Sequence, residues 1–285
     1  MKIGVIGGGP AGIIAAGFAG SRNKNVVLIE RNDKLGKKLL ITGNGRCNVT
    51  NSSPIEDFFE HVITNSSFLY SSFYSFSNYD IMNLLEKYGV KLKVKGGNRV
   101  YPVSDKSSDV IKALNRFLED NNVHVMLNTR IIDVNYKDNK FILTSDNGKT
   151  LIFDKLIIAT GGKSYPATGS TGDGYDFAKK LGHTIIPLKP SLVPIEIEEK
   201  WIKSVQGLSL KKVILSVWIK EKKIDEKFGD MIFTHYGISG PIVLSMSNVI
   251  NKYLNNKIVL KVDIKPTLSA EKLDERILLD FNAEK

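Results

Sequence analysis

Two short apolar runs lie near the start of the chain, on either side of a glycine-rich segment. Residues 3–6 form the first run and residues 26–29 form the second. Between them, residues 10–21 are mostly small or apolar, which is typical of a helix that packs closely on its neighbours. The pattern predicts a strand–helix–strand unit, with the glycines at the turn from the first strand into the helix.

The glycine cluster has the spacing of a turn that holds a dinucleotide. Gly7 allows a tight strand-to-helix turn, Gly9 lets the backbone approach a pyrophosphate, and Gly12 lets the helix pack close to the strand. Pro10 suits the first helical position because its missing N–H would have no partner there, and Ala11 follows it. The free N–H groups and the positive dipole end of the helix then favour an anion at this place.

Glu30 ends the second apolar run and strengthens this interpretation. It follows Gly12 by 18 residues, close to the roughly 20 expected for an acid that binds a ribose hydroxyl. A lone glycine motif is weak evidence, but strand, glycines, helix, strand and acid occur here in register. We therefore predict a dinucleotide site that contains Gly7, Gly9, Pro10, Ala11, Gly12, Glu30 and Arg31.

Two later patterns predict local structure in the same half of the chain. Residues 141–144 and 150–153 alternate apolar and polar positions around an Asp-Asn-Gly turn, which favours a β-hairpin. A helix is expected over residues 108–121, with Ser107 or Ser108 as its N-cap.

The pattern changes after residues 187–190, which contain two prolines and are typical of a hinge. Alternating apolar positions beyond them predict strands, over residues 192–197, 211–220, 223–228 and 257–264. We therefore predict an α/β fold class. A Rossmann-like nucleotide-binding domain is expected in residues 1–190, followed by a mostly β domain in residues 191–285.

Composition narrows the function classes. Of the 285 residues, 42% are hydrophobic and 25% are charged, as in a globular protein. The net charge of +10 is compatible with a nucleic-acid partner, but the excess positive charge comes from scattered lysines, and the chain has only seven arginines. Arginine is better suited than lysine to bidentate hydrogen bonds with phosphate and guanine. A small-molecule substrate is therefore favoured over nucleic acid.

Other sequence features bear on location and metal binding. No apolar run approaches the roughly 20 residues that span a bilayer, and Pro10 interrupts any signal-peptide core. The single cysteine, Cys47, excludes an internal disulfide and fits a reducing compartment. We see no cluster of metal ligands. We therefore expect a cytoplasmic protein without a membrane partner or a metal.

Three segments beyond the first motif have the composition of ligand-binding loops. Residues 36–51 combine glycines, hydroxyls and amides with three cations and Cys47, and can wrap a polyanion, although a polar surface turn is the alternative. Residues 155–158 are apolar and lead into Ala-Thr-Gly-Gly. Residues 164–175 place three glycines and four hydroxyl residues before a helix, which suits an anion.

These segments resemble the YhiN/BaiN-type group of bacterial FAD-dependent oxidoreductases, flavoproteins whose FAD domain is related to glutathione reductase. The resemblance covers the whole chain and implies that the 36–51 loop lies along the FAD pyrophosphate. It also implies that residues 155–162 form the second FAD motif and that the backbone near residue 131 touches the adenine. The implied cofactor-side residues are Lys38, Thr42, Gly43, Arg46, Cys47, Asn48, Ile131, Ala159, Thr160, Gly161 and Gly162.

The resemblance favours FAD over NAD and implies hydride transfer through a flavin. The reaction partner of the flavin would be NAD(P)H or a small organic substrate, which the residues do not identify. Three alternatives stay open: a flavoprotein of tRNA modification, a non-catalytic remnant of the FAD fold, and an enzyme that uses NAD alone.

Two single residues have more than one interpretation. Cys47 is either a redox thiol or a small packing residue beside the flavin, and without a second cysteine it cannot cycle as an internal disulfide. His235 lies in a Thr-His-x-Gly-x-Ser-Gly-Pro segment that resembles part of the family's inserted domain. This segment makes His235 the one catalytic candidate, although helix capping accounts for the serine and proline of the segment equally well.

Proteins of this family return to the FAD domain after the inserted domain. The return carries a glycine-rich strand-to-helix segment whose acidic residue binds the ribityl chain. We find no such segment after Ile264. The resemblance therefore implies that residues 191–285 are the inserted domain and that the C-terminal return is lacking.

Overall fold

A computed structural model of the chain describes residues 1–22, 24–62 and 64–283. The chain divides into two compact units, Met1–Ile185 and Ile186–Lys285. The boundary at residue 190, the FAD-binding role of the first domain and the inserted character of the second stay predictions.

Helices and strands alternate through the first unit. In chain order they are β1 (Lys2–Ile6), α1 (Pro10–Gly20), β2 (Asn25–Ile29), α2 (Lys37–Ile41), β3 (Thr50–Asn51), α3 (Ile55–Glu60), α4 (Tyr70–Ser75), α5 (Asn78–Lys87), β4 (Leu92–Lys95), β5 (Arg99–Pro102), α6 (Ser107–Asp120), β6 (His124–Met126), β7 (Ile131–Lys137), β8 (Lys140–Ser145), β9 (Thr150–Phe153), β10 (Lys155–Ile158) and α7 (Asp173–Lys180). Short 3-10 turns span Ser66–Leu69 and Pro166–Thr168.

A parallel sheet with the strand order β10-β1-β2-β6 forms the centre of the first unit. β1 and β2 are apolar almost throughout because both faces of the sheet are covered. On one face, α1 packs against α6 so closely that a Cβ atom on Gly17 would lie 2.1 Å from the ring of Phe117. This sheet confirms the predicted strand–helix–strand unit and, with it, the Rossmann-like α/β class.

Two antiparallel sheets complete the first unit. One has the order β7-β8-β9, and β8 and β9 pair on either side of the Asp-Asn-Gly turn, as predicted. The other has the order β3-β5-β4. The predicted side-chain cap of α6 is wrong. The N-cap is Lys106, whose side chain has no acceptor that could cap an N–H. The Ser107 hydroxyl donates instead to the Leu40 carbonyl, 2.9 Å away.

The second unit is built on an antiparallel sheet of order β11-β14-β13-β12-β15, which confirms its mostly β character. Its elements are β11 (Ile195–Glu196), a 3-10 turn (Lys200–Val205), β12 (Ser209–Ile219), β13 (Lys222–Phe233), β14 (Gly237–Ser239), α8 (Pro241–Ile250), β15 (Ile258–Asp263) and α9 (Ala270–Ala283).

One strand of this sheet is longer than its sequence pattern predicts. Residues 223–228 alternate, and the prediction ended the strand before Gly229, but β13 continues to Phe233. An irregularity between Leu210 and Val213 on β12 lies opposite this point, and the Lys212 N–H donates to Asp230 Oδ1 at 3.0 Å. A β-bulge of this kind interrupts the alternation without ending the strand.

Candidate functional site

A pocket of about 230 Å³ lies in the first unit at the carboxyl ends of β1, β2 and β10. Its wall is formed by the turn after β1, the residues that follow β2, the start of β7 and the segment that follows β10. The carboxyl edge of a parallel sheet is where open α/β folds bind ligands. The sheet thus brings the first glycine motif and the second predicted FAD motif to one place.

The glycine turn leaves no room for side chains at two of its positions. Gly7 has φ +107°, and a Cβ atom there would lie 2.4 Å from the carbonyl oxygen of Ala159. A Cβ atom on Gly12 would lie 1.8 Å from the carbonyl oxygen of Gly7. Because neither residue has a side chain, α1 can lie close to β1 and β10, which is the role that the sequence predicted for Gly12.

Gly9 differs from both, because a Cβ atom there would meet nothing within 4 Å. Gly9 is the N-cap of α1, no side chain caps the helix, and Pro10 occupies the first turn. Together with Ala11 these residues line the pocket. The first turn of α1 therefore presents its N–H groups and its positive dipole end to open space, an arrangement that suits a phosphate group.

Glu30 contributes a buried carboxylate to the same pocket. Its exposed fraction is 7%. Its Oε2 atom accepts a hydrogen bond from the Gly8 N–H at 2.6 Å, and its Oε1 atom accepts two from Asn32, from the backbone N–H at 2.8 Å and from Nδ2 at 2.6 Å. The sequence predicted Glu30 but missed both residues that hold it.

The segment of residues 164–173, which we call the strap, crosses to the residues that follow β2. Lys38 Nζ donates to the carbonyl oxygen of Ser164 at 2.6 Å and to Ser170 Oγ at 2.7 Å. Arg31 Nη1 donates to Thr171 Oγ1 at 2.7 Å. Two predicted cofactor residues, Lys38 and Arg31, therefore use their charged groups to fix the strap against the pocket.

Asp173 ends the strap and joins three parts of the pocket wall. Its Oδ2 atom lies 3.4 Å from Arg31 Nη1 and 3.2 Å from Arg130 Nη2. Burial raises the pKa of Asp173, but hydrogen bonds from Thr171 and Arg130 and the charge of Arg31 outweigh it and hold the pKa below its usual value. The sequence missed Asp173 and Arg130 because their partners are more than 40 residues away.

The structure places most of the predicted cofactor residues around this pocket. Those that line it are Gly7, Gly9, Pro10, Ala11, Glu30, Arg31, Lys38, Ile131, Ala159, Thr160 and Gly161. Gly12 lies behind the glycine turn. The predicted residues outside the lining are Thr42, Gly43, Arg46, Cys47, Asn48 and Gly162. Their roles toward a cofactor stay predictions.

The loop after α2 turns back on itself. The Cys47 N–H donates to the Thr42 carbonyl at 3.1 Å, and Arg46 Nε donates to the Gly43 carbonyl at 3.1 Å. Cys47 is fully buried in a cluster of core residues. Burial raises the pKa of its thiol. A hydrogen bond with Thr42 lowers this pKa by a smaller amount, so the net shift is upward. This environment favours the packing interpretation of Cys47, because a reactive thiol needs exposure and a lowered pKa.

His235 lies in the second unit, on the turn between β13 and β14. Its side chain is exposed and meets the ring of Tyr236 edge-on, with the ring centroids 4.6 Å apart. The turn itself is held by Thr234, whose N–H donates to the Gly237 carbonyl at 2.8 Å. A catalytic role for His235 stays a prediction.

Metal-ligand clusters and membrane-spanning helices are both absent from the part of the chain that the structure describes. Within residues 1–22, 24–62 and 64–283, no three His, Cys, Asp or Glu side chains are grouped closely enough to hold a metal ion. Across the same ranges, no helix has the length and apolar character needed to cross a membrane.

Residues 1–262 match the family described as "HI0933-like protein Rossmann domain". Over 277 residues the chain is 30% identical to the 3-dehydro-bile acid delta(4,6)-reductase of Clostridium scindens, which covers 95% of this chain and 66% of that protein. Over 244 residues it is 30% identical to the ribosomal RNA dihydrouridine synthase of Escherichia coli, which covers 86% of this chain and 60% of that protein. The chain thus spans less than two thirds of the length of either relative.

Among solved structures, the chain is similar to a flavocytochrome c3 fumarate reductase in its open conformation. The TM-score is 0.50 and the identity is 19%, over 74% of this chain and 47% of that chain. This likeness supports the fold. The family match covers most of the chain, and the chain therefore belongs to the HI0933-like Rossmann family, in agreement with the resemblance found in the sequence.

Proposed function

We propose that the protein is an FAD-dependent oxidoreductase and that the pocket of the first unit holds the adenosine diphosphate part of FAD. One observation carries this proposal: the uncapped N-terminus of α1 and the buried carboxylate of Glu30 line the same pocket. The relatives agree with the predicted oxidoreductase, because one is named as a reductase and the other as a synthase of a reduced uridine.

The pocket offers a complementary group for each part of the dinucleotide. The N–H groups at Gly9 and Ala11 suit the pyrophosphate, and a Cβ-free position at Gly9 lets it approach the backbone. The Glu30 carboxylate suits a ribose hydroxyl. Ile131 is buried in the wall, where its backbone suits the adenine edge. When bound, FAD supplies hydride transfer, and the protein supplies its position.

The names of the two relatives suggest a common substrate chemistry. A delta(4,6)-reductase of a 3-dehydro-bile acid and a dihydrouridine synthase both add two hydrogens to carbon–carbon double bonds conjugated with a carbonyl group. We therefore propose a small organic substrate with an α,β-unsaturated carbonyl group, and NAD(P)H as the source of electrons. The single cysteine supports a cytoplasmic location for this reaction.

The test of FAD binding is the visible spectrum of the purified protein and its titration with FAD. We expect a flavin band, and we expect Glu30→Ala to weaken FAD binding by on the order of tenfold or more, because a hydrogen bond to a charged group is lost. Glu119→Ala, at an exposed position near the end of α6, is the matched control and should bind as the wild type does. A colourless protein that takes up no added FAD would refute the proposal.

A second candidate is a flavoprotein that reduces uridine in ribosomal RNA. The identity to the Escherichia coli enzyme favours it. Incubating the protein with NAD(P)H and either an unsaturated ketone or unmodified ribosomal RNA separates the two substrates. Consumption of NAD(P)H with the ketone supports the first proposal. Dihydrouridine in the RNA, with binding that falls steeply as salt rises, supports the second.

A further inference from the structure

The hydrogen bonds of the Glu30 carboxylate are unevenly distributed between its two oxygens. Oε1 accepts two hydrogen bonds from Asn32, whereas Oε2 accepts one, from the Gly8 N–H. A carboxylate has about four acceptor positions. Asn32 therefore fills the positions on Oε1, and the position that remains for a ligand hydroxyl is on Oε2.

Asn32 is itself fixed by neighbours on three sides. Its Nδ2 atom also donates to the Thr168 carbonyl in the strap at 3.2 Å, and its Oδ1 atom accepts from Lys37 Nζ at 3.5 Å. Its backbone carbonyl accepts the Asn128 N–H at 2.9 Å. A Cβ atom on Gly169 would lie 2.7 Å from Asn32 Nδ2, so the strap approaches the amide closely. The amide therefore has little freedom to turn away from Glu30.

We propose that Asn32 is a positioning residue for ribose recognition, and this proposal rests on the proposed binding of FAD. Asn32 holds the Glu30 carboxylate by Oε1 so that Oε2 faces the adenosine ribose. Through the Thr168 carbonyl, the same amide ties this orientation to the strap. Without the amide donor, only the backbone N–H groups of Gly8 and residue 32 still hold the carboxylate. Its terminal torsion is then less tightly fixed, and the ribose hydroxyl meets a less well-oriented acceptor.

The test compares FAD with an FAD analogue that lacks the 2′-hydroxyl of the adenosine ribose. The wild type should bind FAD more tightly than the analogue by on the order of tenfold, the value of a hydrogen bond to a charged group. Asn32→Ala removes the amide donor and should reduce this preference to about threefold or less. Asn32→Asp keeps the shape but places a second carboxylate beside Glu30, and should abolish the preference.

Asn135→Ala is the matched control for these variants. Asn135 Nδ2 also donates to an acid two residues earlier, Asp133 Oδ2, at 2.8 Å, but on an exposed part of β7. This control should keep the wild-type preference for FAD over the analogue.

The outcomes separate the role of Asn32 from the proposed function. If both Asn32 variants keep the wild-type preference while binding FAD and the analogue more weakly by the same factor, Asn32 is only structural and the inference is overturned. If the wild type binds neither flavin, the proposed function fails and the inference fails with it. A wild-type preference that falls in both variants and survives in the control supports the inference.

Discussion

Two glycine-containing loops of the first unit look alike in sequence and differ in structure. The turn of residues 7–12 follows β1, and the loop of residues 42–48 follows α2. Gly7 in the turn and Gly43 and Gly45 in the loop have positive φ. In the turn, a Cβ atom on Gly7 or Gly12 would collide with the backbone of a neighbouring element. In the loop, a Cβ atom on Gly45 would meet nothing closer than 3.9 Å, and one on Gly43 would lie 3.1 Å from the backbone nitrogen of Asn48 in the same loop.

The difference lies in where the backbone N–H groups are directed. In the loop, the N–H groups of Gly45 and Cys47 both donate to the Thr42 carbonyl, and the Arg46 N–H donates to the Gly43 carbonyl, so these three donors are used within the loop. In the turn, the helix begins without a side-chain cap and faces the pocket. Glycine spacing alone therefore does not identify a ligand loop. A ligand loop is identified by backbone N–H groups that remain available to a ligand, as they do in the turn.

The largest effect should come from filling the contact between α1 and β1. Gly12→Ala puts a methyl group where the Gly7 carbonyl lies, 1.8 Å away, and should lower the free energy of unfolding by roughly 3 kcal/mol or more, because backbone must move. Denaturant titration of the variant measures this loss. Gly96→Ala, where a Cβ atom meets nothing within 4 Å, is the control, and equal losses in both variants would contradict the explanation.

Gly9→Val should separate binding from folding. Its side chain enters open space, and its φ of −77° suits valine. The free energy of unfolding should therefore fall by no more than about 1 kcal/mol, the cost of an aliphatic residue at an N-cap. FAD affinity should fall by on the order of 100-fold, because the side chain takes the space of the pyrophosphate. Fluorescence titration with FAD measures this effect. Unchanged affinity would show that no ligand phosphate approaches Gly9.

In the second loop, Cys47→Ser should affect stability before binding. The thiol is fully buried, and a hydroxyl in that place should lower the free energy of unfolding by about 1–3 kcal/mol. We expect FAD affinity to stay within about threefold of the wild type, because Cys47 lies outside the pocket lining. A threefold change in affinity corresponds to less than about 1 kcal/mol of binding free energy. A large loss of affinity at wild-type stability would instead place Cys47 beside the cofactor.

The smallest effect is a dependence on pH at the same residue. Burial raises the pKa of the Cys47 thiol, so the folded protein should react with a disulfide reagent more slowly than the unfolded chain between about pH 7 and 9. Because the folded pKa is raised, this group contributes stability that is complete below the unfolded pKa of about 8.5 and is lost as pH rises. Equal rates in folded and unfolded protein would contradict burial of the thiol.

The sequence predicts best those features that depend on neighbours along the chain. The β1–α1–β2 unit and the β8–β9 hairpin are confirmed, because a glycine turn and an Asp-Asn-Gly turn specify local geometry. The cap of α6 was predicted wrongly because Ser107 finds a partner in Leu40, 67 residues away. Such a tertiary partner leaves no local signal.

The same limit applies to the candidate site. Glu30 is predicted by its distance from the glycines, whereas Asn32 is recognised only from the hydrogen bonds that it makes in the folded protein. The strap contains a visible run of glycines and hydroxyls, but its attachment to Lys38 spans 132 residues. The sequence therefore predicts most of the segments that line the pocket and does not predict how they are held together.

The central position of β1 in its sheet has a consequence for biosynthesis. β1 pairs with β2 on one side and with β10 on the other, and β2 pairs with β6. At about 5–20 residues per second, a ribosome needs on the order of ten seconds to add the roughly 130 residues between β2 and the end of β10. During that interval the edge of β1 that later pairs with β10 is exposed, and an exposed apolar strand edge favours aggregation or chaperone binding. The pocket is complete only after α7 has also left the ribosome, because residues 159–161, residues 168–170 and Phe177 line it.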